Sequence, residues 1–269
     1  MKKIQIQSSD GPLEICCRDE GNGSPLVFLH AFPLSQRMWD GQLAALAERF
    51  RVMTFDWRGF GDSELRGDVF TMEQFADDLR ALLDALELDR VTLCGLSMGG
   101  YAAFAFMRKY AARVANLILA DTRAGEDLAA ARQGRLDMAR RALTEGAGVI
   151  ADLMIPRLLA PATIRNHPEI NARLRAIIEA NDPRAIAAAQ AGMAARADAT
   201  ALLEQIRCPA LIIVGGEDAL TPPSEAKKMF DRLPGAQMAV INGVGHLPNL
   251  EAPAEFNRIV TGFLTPEPF

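Results

Sequence analysis

The chain has 269 residues, 49% of them hydrophobic and 23% charged, with a formal net charge of −5. That length fits one large α/β domain or a core with an inserted subdomain, and the composition is that of a soluble globular protein able to bury a core without staples. The mildly acidic balance, with no block of like charges, excludes a nucleic-acid surface, and no run is long and apolar enough to span a membrane. Four cysteines, none at a metal or redox spacing, read as reduced thiols of a cytoplasmic protein.

Met1-Lys2-Lys3 begins like a signal peptide, but Ile4-Gln5-Ile6-Gln7 alternates as a strand and no apolar segment follows. Residues Ile4 to Arg18 form a predicted hairpin turning at Asp10-Gly11. Leu26-Val27-Phe28-Leu29 is a buried strand that runs into His30-Ala31-Phe32-Pro33. A loop in that place can turn a backbone N–H into an active site, with Phe32 as the donor, but the same residues fit an ordinary strand-to-helix loop. His30 reads as structural. A helix is expected from Met38 to Phe50, with Trp39, Leu43 and Leu46 on one stripe, and a strand from Val52 to Phe55. Asp56-Trp57-Arg58-Gly59-Phe60-Gly61-Asp62-Ser63 then reads as a tight, ion-paired scaffold turn. Thr71-Met72-Glu73-Gln74 is a capping box that opens a helix lined by Phe75, Leu79, Leu82, Leu83 and Leu86.

The next stretch organises the chain. Val91 to Cys94 is a short buried strand, Tyr101 to Tyr110 a helix, and Gly95-Leu96-Ser97-Met98-Gly99 lies between them. A serine pinched between strand and helix takes a strained turn that exposes its hydroxyl, and only glycine tolerates the close chain approach on either side. The N–H of Met98 falls at a helix N-terminus, where developing negative charge is favoured. Ala115 to Ala120 is a further strand, with Asp121 at its end.

From about Ala124 to Thr200 the chain is rich in Ala, Arg, Leu and Met, has helical periodicity and no strand, and is punctuated by Pro156, Pro161, Pro168 and Pro183. This is an all-helical insertion whose arginines mostly form a solvated face. Strand texture returns at Ala210 to Val214, followed by Gly215-Gly216-Glu217-Asp218, a helix from Ser224 to Leu233 and a last strand from Gln237 to Ile241. Gly245-His246-Leu247-Pro248 and a helix from Ala254 to Phe263 close the chain. Strands alternating with helices imply a mostly parallel sheet covered on both faces, whose active residues gather at the carboxyl ends of the strands.

Ser97, Asp218 and His246 each follow such an end. A serine hydroxyl needs a base, imidazole suits that task near neutrality, and a carboxylate on its other nitrogen orients it. His246 could instead be a packed loop histidine, and Asp218 a mere turn cap, with Asp121 as the rival acid.

On the motifs just quoted, the chain resembles the α/β-hydrolases, serine-nucleophile branch, over nearly its whole length. The Ser…Asp…His order is that family's order. The resemblance implies an eight-stranded, mostly parallel sheet with an inserted helical cap: core over 1–123, cap over 124–201, core again over 202–269. It implies Ser97 as nucleophile, His246 as base and Asp218 as acid, although some members carry the acid where Asp121 stands. The N–H groups of Phe32 and Met98 become the oxyanion hole. Ala31 stands where many relatives have glycine, so it must hold an allowed backbone angle. No metal or organic cofactor is required. Within the family the chain is similar to small carboxylesterases and 3-oxoadipate enol-lactonases, which implies a small ester or lactone as substrate. Trp57, Leu247 and Arg123 are the expected substrate-binding residues, Arg123 or a cap arginine meeting the carboxylate of a lactone. A proline iminopeptidase-like amidase and a non-catalytic binding protein are the competing readings.

Overall fold

The structure, a computed structural model, describes residues 1–265; the end of the core segment expected over 202–269 lies outside the described residues. Eight strands form one sheet: β1 (Lys2–Ser8), β2 (Gly11–Glu20), β3 (Ser24–Leu29), β4 (Phe50–Phe55), β5 (Val91–Leu96), β6 (Val114–Ala120), β7 (Ala210–Gly215) and β8 (Gln237–Ile241). Their order is β1-β2-β4-β3-β5-β6-β7-β8. β2 runs antiparallel to both β1 and β4, and every later pairing is parallel. The strands β5 and β7 are buried along their whole length, as their predominantly apolar sequences require of strands covered on both faces. β1, at the edge, alternates instead, and Ile6 points into the core.

The chain leaves β3 for β4 on one side and later returns to place β5 on the other. The crevice opened by that reversal is where open α/β sheets hold their ligands. Registers bring Leu29 beside Gly95, Gly95 beside Leu119 and Gly215 beside Ile241. The loops carrying His30–Phe32, Ser97, Asp121, Asp218 and His246 therefore leave from one edge of the sheet.

Helix Met72–Ala85 packs on helix Met98–Tyr110, and helix Asp40–Leu46 on helix Pro253–Leu264. Thr71 Oγ accepts the N–H of Gln74 at 3.0 Å, but the return half of the capping box is missing, because Gln74 Nε2 reaches Asp10 at 3.2 Å instead. The single helix expected over Met38–Phe50 is divided. A 3₁₀ turn at Gln36–Trp39 precedes the short helix, and Phe50 joins the sheet opposite Ser24. Sheet pairing overrides helical periodicity there.

The Asp56–Ser63 turn is scaffold, though not by the expected internal ion pair. Asp56 accepts from Gln36 N at 2.7 Å, Gln36 Nε2 at 2.8 Å and Asp62 N at 3.1 Å. Arg58, wholly buried, instead binds Asp78 through Nε at 2.6 Å and Nη2 at 2.7 Å, and Asp10 through Nη1 at 2.8 Å. It ties the β1–β2 hairpin to a helix that is remote in sequence.

Between β6 and β7 the chain is helical: Ala129–Glu145, Ala147–Leu158, Pro161–Asn166, Pro168–Glu179 and Pro183–Ala194 precede the short helix Thr200–Leu203. Pro161, Pro168 and Pro183 open helices, where a missing N–H costs nothing. Pro156 does not separate two helices; it lies inside Ala147–Leu158. Helix Pro183–Ala194 consists largely of alanine and comes so close to the core that a Cβ on Gly192 would stand 1.7 Å from the carbonyl oxygen of Phe70. The N–H of Phe70 bonds back to Ala188 O at 3.0 Å. Asn181 fastens the same region, donating to Pro33 O and accepting from Gly61 N, each at 2.8 Å. No helix is long and apolar enough to cross a membrane among the described residues.

Candidate active site

The turn at Ser97 is set by sterics. A Cβ on Gly95 would lie 2.5 Å from Gly99 O, and one on Gly99 would lie 2.1 Å from Leu29 O. No side chain fits at either position, so strand and helix can close on each other only with glycine. Ser97 itself stands at φ +54°, ψ −112°, ahead of helix Met98–Tyr110. A non-glycine residue held there stores about 1–3 kcal/mol of strain. It is pinned by its N–H to Ala120 O at 3.0 Å and by Thr122 Oγ1 donating to its carbonyl at 2.9 Å.

His246 is buried, with Nδ1 2.8 Å from Asp218 Oδ2. Its N–H bonds to Leu158 O of the helical insertion at 3.0 Å. Glu251 braces the same loop: its carboxylate accepts Gly245 N at 2.8 Å, Ala160 N at 2.9 Å and Thr163 Oγ1 at 2.6 Å, so it joins the insertion to the histidine loop. Among the described residues no hydrogen bond is made by Ser97 Oγ or by His246 Nε2.

Asp218 is the better served of two neighbouring carboxyls. It accepts Leu220 N at 2.8 Å, Thr221 N at 3.0 Å and Thr221 Oγ1 at 2.6 Å, besides the imidazole. Burial alone would raise its carboxyl, but the charge on His246 and the hydrogen bonds from His246 and Thr221 hold it below the usual aspartate range. Asp121 does not reach His246 by a hydrogen bond. Its Oδ1 accepts Gly215 N at 2.8 Å, and its buried Oδ2 has no partner among the described residues. Burial first, then the charge of Asp218, push Asp121 well above its ordinary value. The Thr221 hydroxyl, a further donor to Asp218, is not anticipated from sequence; the signal is a threonine three residues beyond the acid.

Phe32 lines the same cavity as Ser97 and His246. Neither Phe32 N nor Met98 N donates to a protein acceptor among the described residues. Ala31 avoids the left-handed region, and its N–H is turned toward Met38 Sδ at 3.3 Å, so no glycine is needed there. His30 is structural: Nδ1 donates to Ala31 O at 3.0 Å while Nε2 accepts Trp57 N at 3.1 Å. Burial pushes it down to about 4, which keeps it neutral and able to accept.

The cavity holds about 310 Å³, the scale of a small-molecule site. Arg123 is on its wall, but Trp57 and Leu247 are not among its lining residues. Trp57 is wholly buried, stacked on Phe75 at 4.5 Å and edge-on to Phe55 at 4.7 Å, because its backbone belongs to the scaffold turn. Leu247 is equally buried, in the turn that opens helix Pro248–Glu251. Their place is taken by residues sequence reading missed: Tyr101 one helical turn beyond the serine, Met138, Met154, Gln190 and Met193 from the insertion, and Leu220 and Thr221 beside Asp218. Helical Met positions carried the signal, but such spacing is indistinguishable from core.

Three arginines, Arg123, Arg135 and Arg157, line the wall with a single acidic residue, Asp127. Asp127 is buried and paired with Arg123, Arg135 and, at 3.1 Å, Arg196. Burial would raise its carboxyl, but Arg135 and then Arg196 and Arg123 hold it below the usual range.

The sequence pattern of the alpha/beta hydrolase family matches residues 26–259. The chain belongs to that family. As an alpha/beta hydrolase it is 30% identical over 266 residues to 3-oxoadipate enol-lactonase 1 of Acinetobacter baylyi, covering 97% of this chain and 96% of the relative. Among solved structures it is similar to a thermophilic esterase from Thermogutta terrifontis with malate bound, at 43% identity, TM-score 0.96 and 98% coverage of both chains. It is also similar to the enol-lactonase from Burkholderia xenovorans LB400, at 29% identity and TM-score 0.90, with 97% of this chain and 99% of that one covered. The hydrolase thus has both esterases and enol-lactonases as relatives.

Proposed function

We propose that this alpha/beta hydrolase cleaves small carboxylic esters through an acyl-enzyme on Ser97. The observation that carries the reading is the buried His246–Asp218 pair at 2.8 Å, whose imidazole lines the same cavity as Ser97 in its strained turn. Ser97 Oγ attacks the ester carbonyl while His246 Nε2 takes its proton. Asp218, on Nδ1, stabilises the imidazolium that forms. The N–H groups of Phe32 and Met98 receive the oxyanion, and their lack of protein acceptors supports that role. The alcohol leaves with the proton from His246; water then repeats the sequence on the acyl-enzyme. Residues 124–201 act as the cap that closes the pocket.

A second reading, an enol-lactonase acting on a carboxylate-bearing lactone, is favoured by the arginines on the wall and by the lactonases among the relatives. The deciding experiment is hydrolysis of p-nitrophenyl butyrate by wild type and Ser97→Ala. Turnover abolished in the variant supports the serine mechanism, and ordinary turnover in Ser97→Ala overturns it. If neither turns over the ester, an enol-lactone and aminoacyl amides are assayed next, and ligand binding without turnover on all three would assign a binding role.

A further inference from the structure

Two carboxyls lie at this site where one would serve. Asp121 ends β6 at φ +43°, fully buried, with its N–H on Ile213 O at 2.9 Å and Oδ1 on Gly215 N. Carboxyl oxygens of Asp121 and Asp218 and a ring nitrogen of His246 all lie within 4.8 Å of one another. Two buried carboxylates that close do not both ionise. Asp218, with two N–H groups, a hydroxyl and an imidazole around it, is where the charge rests. Asp121 has one backbone donor, and its Oδ2, which no donor reaches among the described residues and which shares a side-chain hydrogen bond with Asp218, is the natural place for a proton. The titratable groups facing it are Asp218 from the turn after β7, His246 from the loop after β8, and Glu251 from the helix beyond.

We infer that Asp121 is a positioning residue of this site, a second carboxyl that shares one negative charge with Asp218 and takes it over when Asp218 is removed. The inference rests on the triad reading above. In the intact protein the neutral acid carries no charge of its own; its proton faces the Asp218 carboxylate, and that hydrogen bond keeps Asp218 aimed at Nδ1. In Asp218→Ala, Asp121 releases its proton to solvent, becomes the carboxylate nearest His246 and balances the imidazolium.

The test is a double-mutant cycle on p-nitrophenyl butyrate across the range in which imidazole titrates, with wild type, Asp121→Asn, Asp218→Ala and the double variant. Asp121→Asn is expected to lower kcat/KM about ten-fold more in the Asp218→Ala background than alone, a coupling typical of groups that act as a unit. The acid limb of the Asp218→Ala profile moves only when Asp121 is also removed. Equal factors in both backgrounds, with an unmoved limb, overturn the inference, since a merely structural side chain behaves that way. A second measurement needs no change to Asp218: carboxyl ¹³C spectra of aspartate-labelled wild type at neutral pH, the resonance assigned by its loss in Asp121→Asn or Asp121→Ser. A protonated Asp121 is expected, and an ionised one overturns the inference. This readout involves no activity, so its failure with Ser97 still essential removes the role of Asp121 alone, whereas turnover in Ser97→Ala removes the triad and leaves the spectrum unchanged.

Discussion

Replacing Gly192 by alanine separates local propensity from tertiary packing. Gly192 lies within helix Pro183–Ala194, where alanine is favoured over glycine by about 1 kcal/mol. On propensity alone the variant is stabilised. The structure reverses the sign. The new Cβ would stand 1.7 Å from Phe70 O and 2.4 Å from its carbonyl carbon, and must retreat to at least 3.0 Å. That displacement forces the helix off the core, an overpacking cost of about 1–3 kcal/mol. It also breaks the Phe70 N–H···O=C Ala188 bond, leaving a donor short of its partner at about 1–3 kcal/mol. The net loss is about 1–5 kcal/mol, which for a chain of this length lowers Tm by about 2–10 °C. Gly134 supplies the control: it too is helical, but a Cβ there meets nothing within 4 Å. Gly134→Ala is therefore expected to raise Tm by about 2 °C. Calorimetry on both variants decides the matter. A rise in Tm for Gly192→Ala matching that of Gly134→Ala would refute the close-approach argument. Because Gln190 and Met193, in the same helical turn as Gly192, are on the cavity wall, KM for p-nitrophenyl butyrate should rise in Gly192→Ala as well.

Thr221→Val removes the hydroxyl that donates to Asp218 at 2.6 Å and should lower kcat/KM about ten-fold. The depressed carboxyl of Asp218 contributes stability that is complete above its ordinary value of 3.8 and lost as pH falls through the folded value. With one donor gone the folded value moves back toward 3.8, so this contribution is smaller and its loss is complete at a higher pH, which a series of Tm values against pH detects. Glu251→Gln turns an amide NH₂ toward N–H or O–H donors that a carboxylate accepts, so stability should fall by about 1–3 kcal/mol, or about 2–6 °C in Tm. Burial raises the Glu251 carboxyl above 4.5, so wild-type stability declines as pH rises from 4.5 through the folded value; that slope should vanish in the variant. Arg157, on the cavity wall and exposed, is a test of the lactonase reading. Arg157→Gln should reduce kcat/KM for a carboxylate-bearing ester about two- to five-fold relative to its neutral analogue, and an unchanged ratio removes Arg157 from substrate recognition.

What the sequence by itself determined are the features that short segments settle by their own sterics and periodicity. Gly95 and Gly99 around Ser97 announce the strained turn because no other residue survives contacts of 2.5 and 2.1 Å with the backbone. Apolar runs such as Leu211-Ile212-Ile213-Val214 announce strands buried on both faces. The alternation of strands and helices, with the order of Ser97, Asp218 and His246, led to the fold and to one edge of its sheet. Only the tertiary structure decided what depends on distances between segments far apart in the chain. It put Asp218 at hydrogen-bond distance from His246 and left Asp121 with a bare oxygen, although both follow strand ends. It buried Trp57 against Phe75, turned Arg58 toward Asp78 and Asp10, and recruited Met154, Gln190 and Met193 to the cavity. Helical periodicity tells which face of a helix is covered but not whether protein or substrate covers it, and side-chain partners are chosen at the ångström scale by the registers of the whole sheet.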